Sequence, residues 1–304
     1  MKTKHTLLVY LFTLSLALMA ILMGCRTKID WYPPEFEQKP VLSSVIKAGS
    51  PITIKVSLAV TLSSEPTPEV NNADVVVFVD NVLTETLKYI GDGLYQSEQL
   101  AQEGSEYRCE ITIPGYPTAM SITRIPTHMN IISVDHLNKA WVDEEGVAFP
   151  SIKLTFANKP ESDVYYQVVI NLFRYGDDIS TAWLKSIVDP ILLNEGLPIA
   201  VFSNKFISEN AYTMTINYST GSAMNSNGTG WVAELYPLQV ELRTICPNYY
   251  KFIKQQYLYE LANSEPFLSV GVTGNYKLHS NVQNGYGIVV GYSSVKSEII
   301  DPNN

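Results

Sequence analysis

The chain has 304 residues, of which 46% are hydrophobic, 11% aromatic and 17% charged. That content excludes a disordered chain, and 17 Gly with 17 Pro exclude a collagen-like or low-complexity build. With 30 acidic residues against 21 basic ones and no segregated basic patch, the charge repels phosphate, so no nucleic-acid partner is expected. The length is sufficient for about two domains.

Residues 1–24 have the three parts of an export signal. Lys2 and Lys4 form the positive end, Leu7 to Ile21 is apolar apart from Thr13 and Ser15, and Leu22-Met23-Gly24-Cys25 closes the segment. Those last four residues resemble the lipobox of bacterial lipoproteins. The resemblance implies cleavage after Gly24 and acylation of Cys25, making a lipid bilayer the first partner. Each buried acyl CH₂ contributes about 0.8 kcal/mol, so two or three chains hold a soluble body on the membrane. The competing reading is an uncleaved anchor, since Leu7 to Gly24 nearly suffices to span a bilayer.

Losing Lys2 and Lys4 from the 21 basic residues leaves 19 against 30 acids, a net charge of −11. Such a body is repelled by anionic lipid and should stand off on a tether. Residues 25–40 supply one: Pro33, Pro34 and Pro40 interrupt a stretch without helical or alternating periodicity. No Asp follows Cys25, which favours the outer membrane over the inner, and the face of that membrane is left open.

Beyond the tether the chain reads as mainly β. Residues 41–127 carry the pattern of an immunoglobulin-like sandwich. Ile52, Ile54, Val56 and Leu58 alternate with polar residues, Asp74 to Val79 is a dense apolar run, and Tyr107, Cys109, Ile111 and Ile113 alternate again. Turn signals separate them at Ala48 to Pro51, Asn71-Asn72, Gly91-Asp92-Gly93, Gly104 and Pro114-Gly115.

Residues 128–304 read as a second β-rich domain with one helix. Strands are expected at 130–134, 151–156, 164–173, 212–218, 231–245 and 287–292. Thr181 to Asn194 breaks the pattern, as a short helix or an irregular insertion interrupted by Pro190. Pro247 to Ala262 predicts a helix, with proline at its permitted first turn and a stripe of Tyr250, Ile253, Tyr257 and Leu261, stopped by Asn263 and Pro266.

The order of these pieces carries a resemblance. A lipobox is followed by PVLSSVIKAGSPITIKVSL, NADVVVFVD, GDGLYQS, EGSEYRCEITIPG, Ile125-Pro126, CPNYYKFIKQQYLYELA and NVQNGYGIVVGYSS. Within it stand Ala73, the Gly93-Leu94-Tyr95 turn, Gly104 with Tyr107, the pair Tyr249-Tyr250, and Gly285-Tyr286-Gly287. The chain resembles the Bacteroidota outer-membrane lipoproteins classed as domain of unknown function 4249. The closing segment lacks the fuller Asn-x-x-Gly-Gly run associated with that family. The resemblance implies a context shared with accessory lipoproteins of TonB-dependent outer-membrane receptors, and no established biochemical role.

The sequence lacks the common catalytic signatures. G-x-S-x-G and H-E-x-x-H are absent, and Gly91-Asp92-Gly93 lacks the helix and third glycine of a phosphate loop. Of the four histidines, His5 lies in the signal, and His128, His136 and His279 lack the spacing of metal ligands, so no metal and no cofactor are expected. Asp143-Glu144-Glu145 and Asp177-Asp178 read as solvated acidic turns more readily than as calcium or glycosidase sites. Cys109 and Cys246 are left either to bridge in an oxidising compartment or to stay buried as small apolar side chains.

The chain has 19 Tyr and 4 Trp. Flat rings bind sugar faces and protein surfaces, although tyrosine is also an ordinary strand residue. Trp183, in the irregular insertion, and Asn227, in the polar loop 225–230, are the candidate ligand-binding residues. The expected function is therefore a non-enzymatic outer-membrane lipoprotein, an accessory or interaction protein of a TonB-dependent transport system. A carbohydrate-binding surface lipoprotein and an adhesin or fimbria-associated subunit are the alternatives.

Overall fold

Apolar alternation along Pro40–Lys47 and Pro51–Leu58 sends Leu42, Ile46, Ile52, Ile54 and Val56 to one face, where each is buried. Burying side chains of this size is worth about 1.5–3 kcal/mol apiece. In the computed structural model these strands pair antiparallel, and Leu94–Leu100 and Lys88–Gly91 extend the sheet. The structure describes residues 37–61, 69–174, 178–224, 227, 230–264 and 277–303. The export signal, Cys25 and nearly all of the tether lie outside the described residues.

A second sheet, made of Val82–Thr86, Asp74–Val79, Glu106–Thr112, Ala119–Arg124 and Val282–Gln283, faces the first. Val75, Val77, Tyr107, Cys109 and Ile111 meet the inward residues of the first sheet in a single apolar cluster. The two sheets form a β-sandwich, to which Val282–Gln283 and Val289 from the end of the chain also contribute. Its turns follow from the local chemistry. Asp80-Asn81 and Asp92-Gly93 take the positive φ values of tight hairpins. At Gly93 a side-chain carbon would lie 2.6 Å from the Val56 carbonyl oxygen, so only glycine fits.

The first sheet continues into the second half of the chain. Tyr286–Lys296 pairs in parallel with Pro40–Lys47 on one side and antiparallel with Leu238–Ile245 on the other. Tyr165–Phe173 and Ile179–Thr181 follow beyond, with Val201–Ser203 pairing alongside. Opposite lies a four-stranded sheet in the order Trp183–Leu184, Ala211–Ser219, Ala148–Ala157 and Ile131–Val142. Ile152, Leu154, Phe156, Tyr166, Ile170, Leu172, Met214, Ile216 and Leu242 fill the space between. The fold is mainly β, as expected, with one long helix near its end.

Three expected elements differ in detail. The strand expected over 231–245 is two strands, Trp231–Ala233 and Leu238–Ile245, because Pro237 has no N–H to donate to a ladder. The strand begun near residue 130 runs on to Val142. Pro190 starts rather than interrupts: Pro190–Glu195 is a short helix with Asp189 as its N-cap. The buried Asp189 carboxylate accepts from Ile191 N at 3.0 Å, the Tyr212 hydroxyl at 3.1 Å and Thr215 N at 3.2 Å.

The helix Pro247–Ala262 matches its expected span, but none of its residues is fully buried. Tyr249, Tyr250, Phe252 and Ile253 rest on the outer face of the long sheet, whereas Leu261 stays exposed. Its polar bolt is Glu195. That carboxylate accepts from Lys254 Nζ at 2.8 Å, from the Tyr250 hydroxyl and from Ser203 N at 2.8 Å. Burial opposes ionisation of Glu195, yet these donors outweigh it and hold the carboxyl below its ordinary range. Among the described residues no helix is long and apolar enough to cross a membrane.

Candidate functional site

The four-stranded sheet ends in a row of aromatic residues. Trp183 pairs with Ser219, and Trp141 pairs with Phe149. Phe149 and Ser219 line one cleft together with Asp143 and Lys185, which sets the two pairs at the same end of the sheet. Side chains alternate along a strand. Ile152, Leu154 and Leu184 turn into the core, so Trp183 stands on the opposite, solvent-facing side. Both edge strands thus carry a tryptophan at the same end.

A third joins them. The short hairpin of Ser222–Met224 and Trp231–Ala233 places Trp231 opposite Met224. Its base is next to the same end: Ser222 and Ala233 line a cleft with Phe149, Asp143 and Lys185. Trp183, Trp141 and Trp231 are 81%, 69% and 55% exposed, and Val142, Met224 and Val232 beside them are exposed as well. Single exposed apolar side chains are ordinary on a protein surface, whereas several at one end are not.

The turn next to Trp141 is closed by hydrogen bonds. The Asp143 carboxylate accepts from Val147 N at 2.7 Å, Gly146 N bonds the Asp143 carbonyl oxygen, and Gly146 takes a positive φ. Lys185 Nζ reaches the same carboxylate at 3.1 Å, tying the Trp183 strand to the Trp141 hairpin. The Val147 N–H, and after it Lys185, hold the Asp143 carboxyl below its ordinary value. Glu144 and Glu145 at the tip are exposed. In front of Trp141 an open cleft of about 440 Å³ is lined by Asp143, Glu144, Phe149, Lys185 and Ser186.

The other residues singled out from the sequence are dispersed. Cys25 lies outside the described residues, as do 225–226 and 228–229. Asn227 is exposed in the turn between the two strands of the Trp231 hairpin. Cys109 and Cys246 are buried free thiols, so the disulfide reading does not hold. The physical reason is their placement: Cys109 fills the N-terminal core, while Cys246 caps the long helix and accepts from the Thr123 hydroxyl and Gly291 N. Burial alone pushes the Cys109 thiol up to about 12, which makes it unreactive.

The histidines take separate structural partners. His128 meets Glu103, His136 the Tyr218 hydroxyl at 2.7 Å, and His279 the Asn248 side chain. Among the described residues no group of three or more potential metal ligands occurs. Trp141 and Trp231 are the residues of this end that the sequence reading does not join to Trp183. Only strand register brings positions so far apart in the chain to one end.

The profile of a family described as a domain of unknown function (DUF4249) matches residues 26–298. No curated protein matches the chain.

Proposed function

Starting from the premise that this chain belongs to the DUF4249 family over residues 26–298, we propose that it is a non-enzymatic outer-membrane lipoprotein. In this reading it is moored through acylated Cys25 and acts as an accessory or interaction protein of a TonB-dependent transport system. The observation that carries the binding role is the gathering of Trp141, Trp183 and Trp231 in solvent at one end of the four-stranded sheet. Indoles bury much area at low rotamer cost and dominate protein contacts where they occur. The matched region starts directly after Cys25, which agrees with removal of the leader in front of that residue.

The test is photo-crosslinking in the native envelope, with the reactive residue at 141, 183 or 231 and the chain at its natural level. Recovery of a TonB-dependent receptor from these positions, and not from an exposed site such as Glu161, is the expected result. Absence of any such receptor at all three positions would overturn the accessory role. Mass spectrometry of the native protein checks the anchor, with an unmodified Cys25 thiol as the contrary outcome.

One observation favours a second reading, a carbohydrate-binding surface lipoprotein. The cleft before Trp141 sets an indole beside the polar groups of Asp143, Lys185 and Ser186, the combination that grips a sugar ring. Glycan-array binding that is lost on Trp141→Ala would select this reading, and silence on the array would remove it.

A further inference from the structure

Resting on the binding role of the tryptophan end, we infer the chemistry of what docks there: a basic protein segment that presents arginine. The three exposed indoles define the surface, and charge complementarity identifies the occupant. Asp143 and Lys185 neutralise each other, and Arg174 is engaged by the Thr220 carbonyl oxygen and the Tyr236 ring. Glu144, Glu145, Asp178 and Glu234 remain around the same end and outnumber the exposed Lys139, two residues before Trp141 on its strand, and among the described residues no cation pairs with these four acids.

A docking face with indoles at its centre and unbalanced carboxylates at its margin suits one side chain above others. The arginine guanidinium stacks on an indole face while its fork donates to a carboxylate. Lysine satisfies the charge but lacks the planar fork. An anionic lipid headgroup is repelled twice, by the acidic margin and by the net charge of −11 left once the leader's two lysines are gone. The hydrogen-bonded Asp143 turn presents Glu144 and Glu145 on the same hairpin as Trp141, so one incoming segment can meet both.

The test uses the purified full-length mature protein in neutral detergent and follows its tryptophan fluorescence. The probe is a synthetic peptide alternating arginine and leucine, compared with its glutamate counterpart and with phosphatidylglycerol vesicles. Saturable binding of the arginine peptide is expected, weakening with added salt. It should fall about tenfold on Trp183→Ala and about tenfold on joint Glu144→Gln and Glu145→Gln. Glu161→Gln, an exposed acid elsewhere, should leave it unchanged.

Equal affinity across these variants would show general attraction to an acidic protein and overturn the proposal. So would equal binding of the glutamate peptide, or of the vesicles, through Trp183. Failure of the arginine peptide, with receptor crosslinking from position 183 intact, would remove the cationic chemistry and leave the docking role standing. Failure of both would remove both.

Discussion

The two ends of this molecule's sheets treat space in opposite ways. Where the strand Tyr286–Lys296 enters beside Pro40–Lys47, the backbones approach so closely that no side chain fits between them. At Gly287, which holds a φ of +103°, a side-chain carbon would overlap the Leu42 carbonyl oxygen, and at Gly285 one would lie 2.7 Å from that of Pro40. At the tryptophan end the largest side chains in the protein stand in water. The contrast separates what closes the fold from what the fold is free to display: the tight seam tolerates no added atom, and the open end is spared any packing duty.

The largest expected effect comes from violating the seam. Gly287→Ala combines a backbone conformation that alanine resists with direct overlap, and it should cost on the order of 3 kcal/mol. Thermal unfolding followed by circular dichroism measures this. A variant with unchanged midpoint would mean that the parallel pairing of the first and last strands is not the closure it is taken to be. The paired change Gly49→Ala, at a glycine with positive φ but open space around it, isolates the conformational part of the cost. It should be the smaller of the two.

This seam was only half legible in the sequence. The Gly-Tyr-Gly string and the apolar run after it announce a strand, but nothing local says that its partner is the first strand of the sandwich. The alternation over Pro51–Leu58 was readable because one face of that strand is buried and the other wet, a period written into the residues themselves. Pro190 was ambiguous because proline both breaks helices and begins them, and only the Asp189 cap in front of it decides. The break at Pro237 was hidden by a flanking apolar pattern that suits one long strand or two short ones. The tryptophan end was least legible. Trp141, Trp183 and Trp231 sit on three separate strands, and the register that gathers them depends on long-range pairing.

An intermediate effect is expected at Glu195, where the long helix is bolted down. Glu195→Gln keeps the shape and removes the charge-assisted bonds, so about 1.5 kcal/mol should be lost at neutral pH. The pH dependence has a definite sign. Because the folded carboxyl is held below its ordinary value of 4.5, its contribution is complete above that value. It fades as the pH falls through the lower folded value. The stability gap between wild type and Glu195→Gln should therefore be constant from neutral pH down to about 5 and narrow below 4.5. A gap that instead widened on acidification would mean that Lys254 and the Tyr250 hydroxyl do not stabilise the ionised form.

The smallest effect on stability is the most informative about function. Trp183 is 81% exposed on a two-residue strand, so Trp183→Ala forfeits little packing and should shift unfolding by no more than about 0.5 kcal/mol. Binding through this end should nonetheless weaken about tenfold, since one truncated indole at the centre of a contact commonly costs more than 1 kcal/mol. Stability and binding thus come apart at Trp183, while at Gly287 the loss of fold takes binding with it. If Trp183→Ala destabilised the protein as Gly287→Ala does, the indole would be packing against its own chain, and the separation between closure and display would fail at the residue on which it most depends.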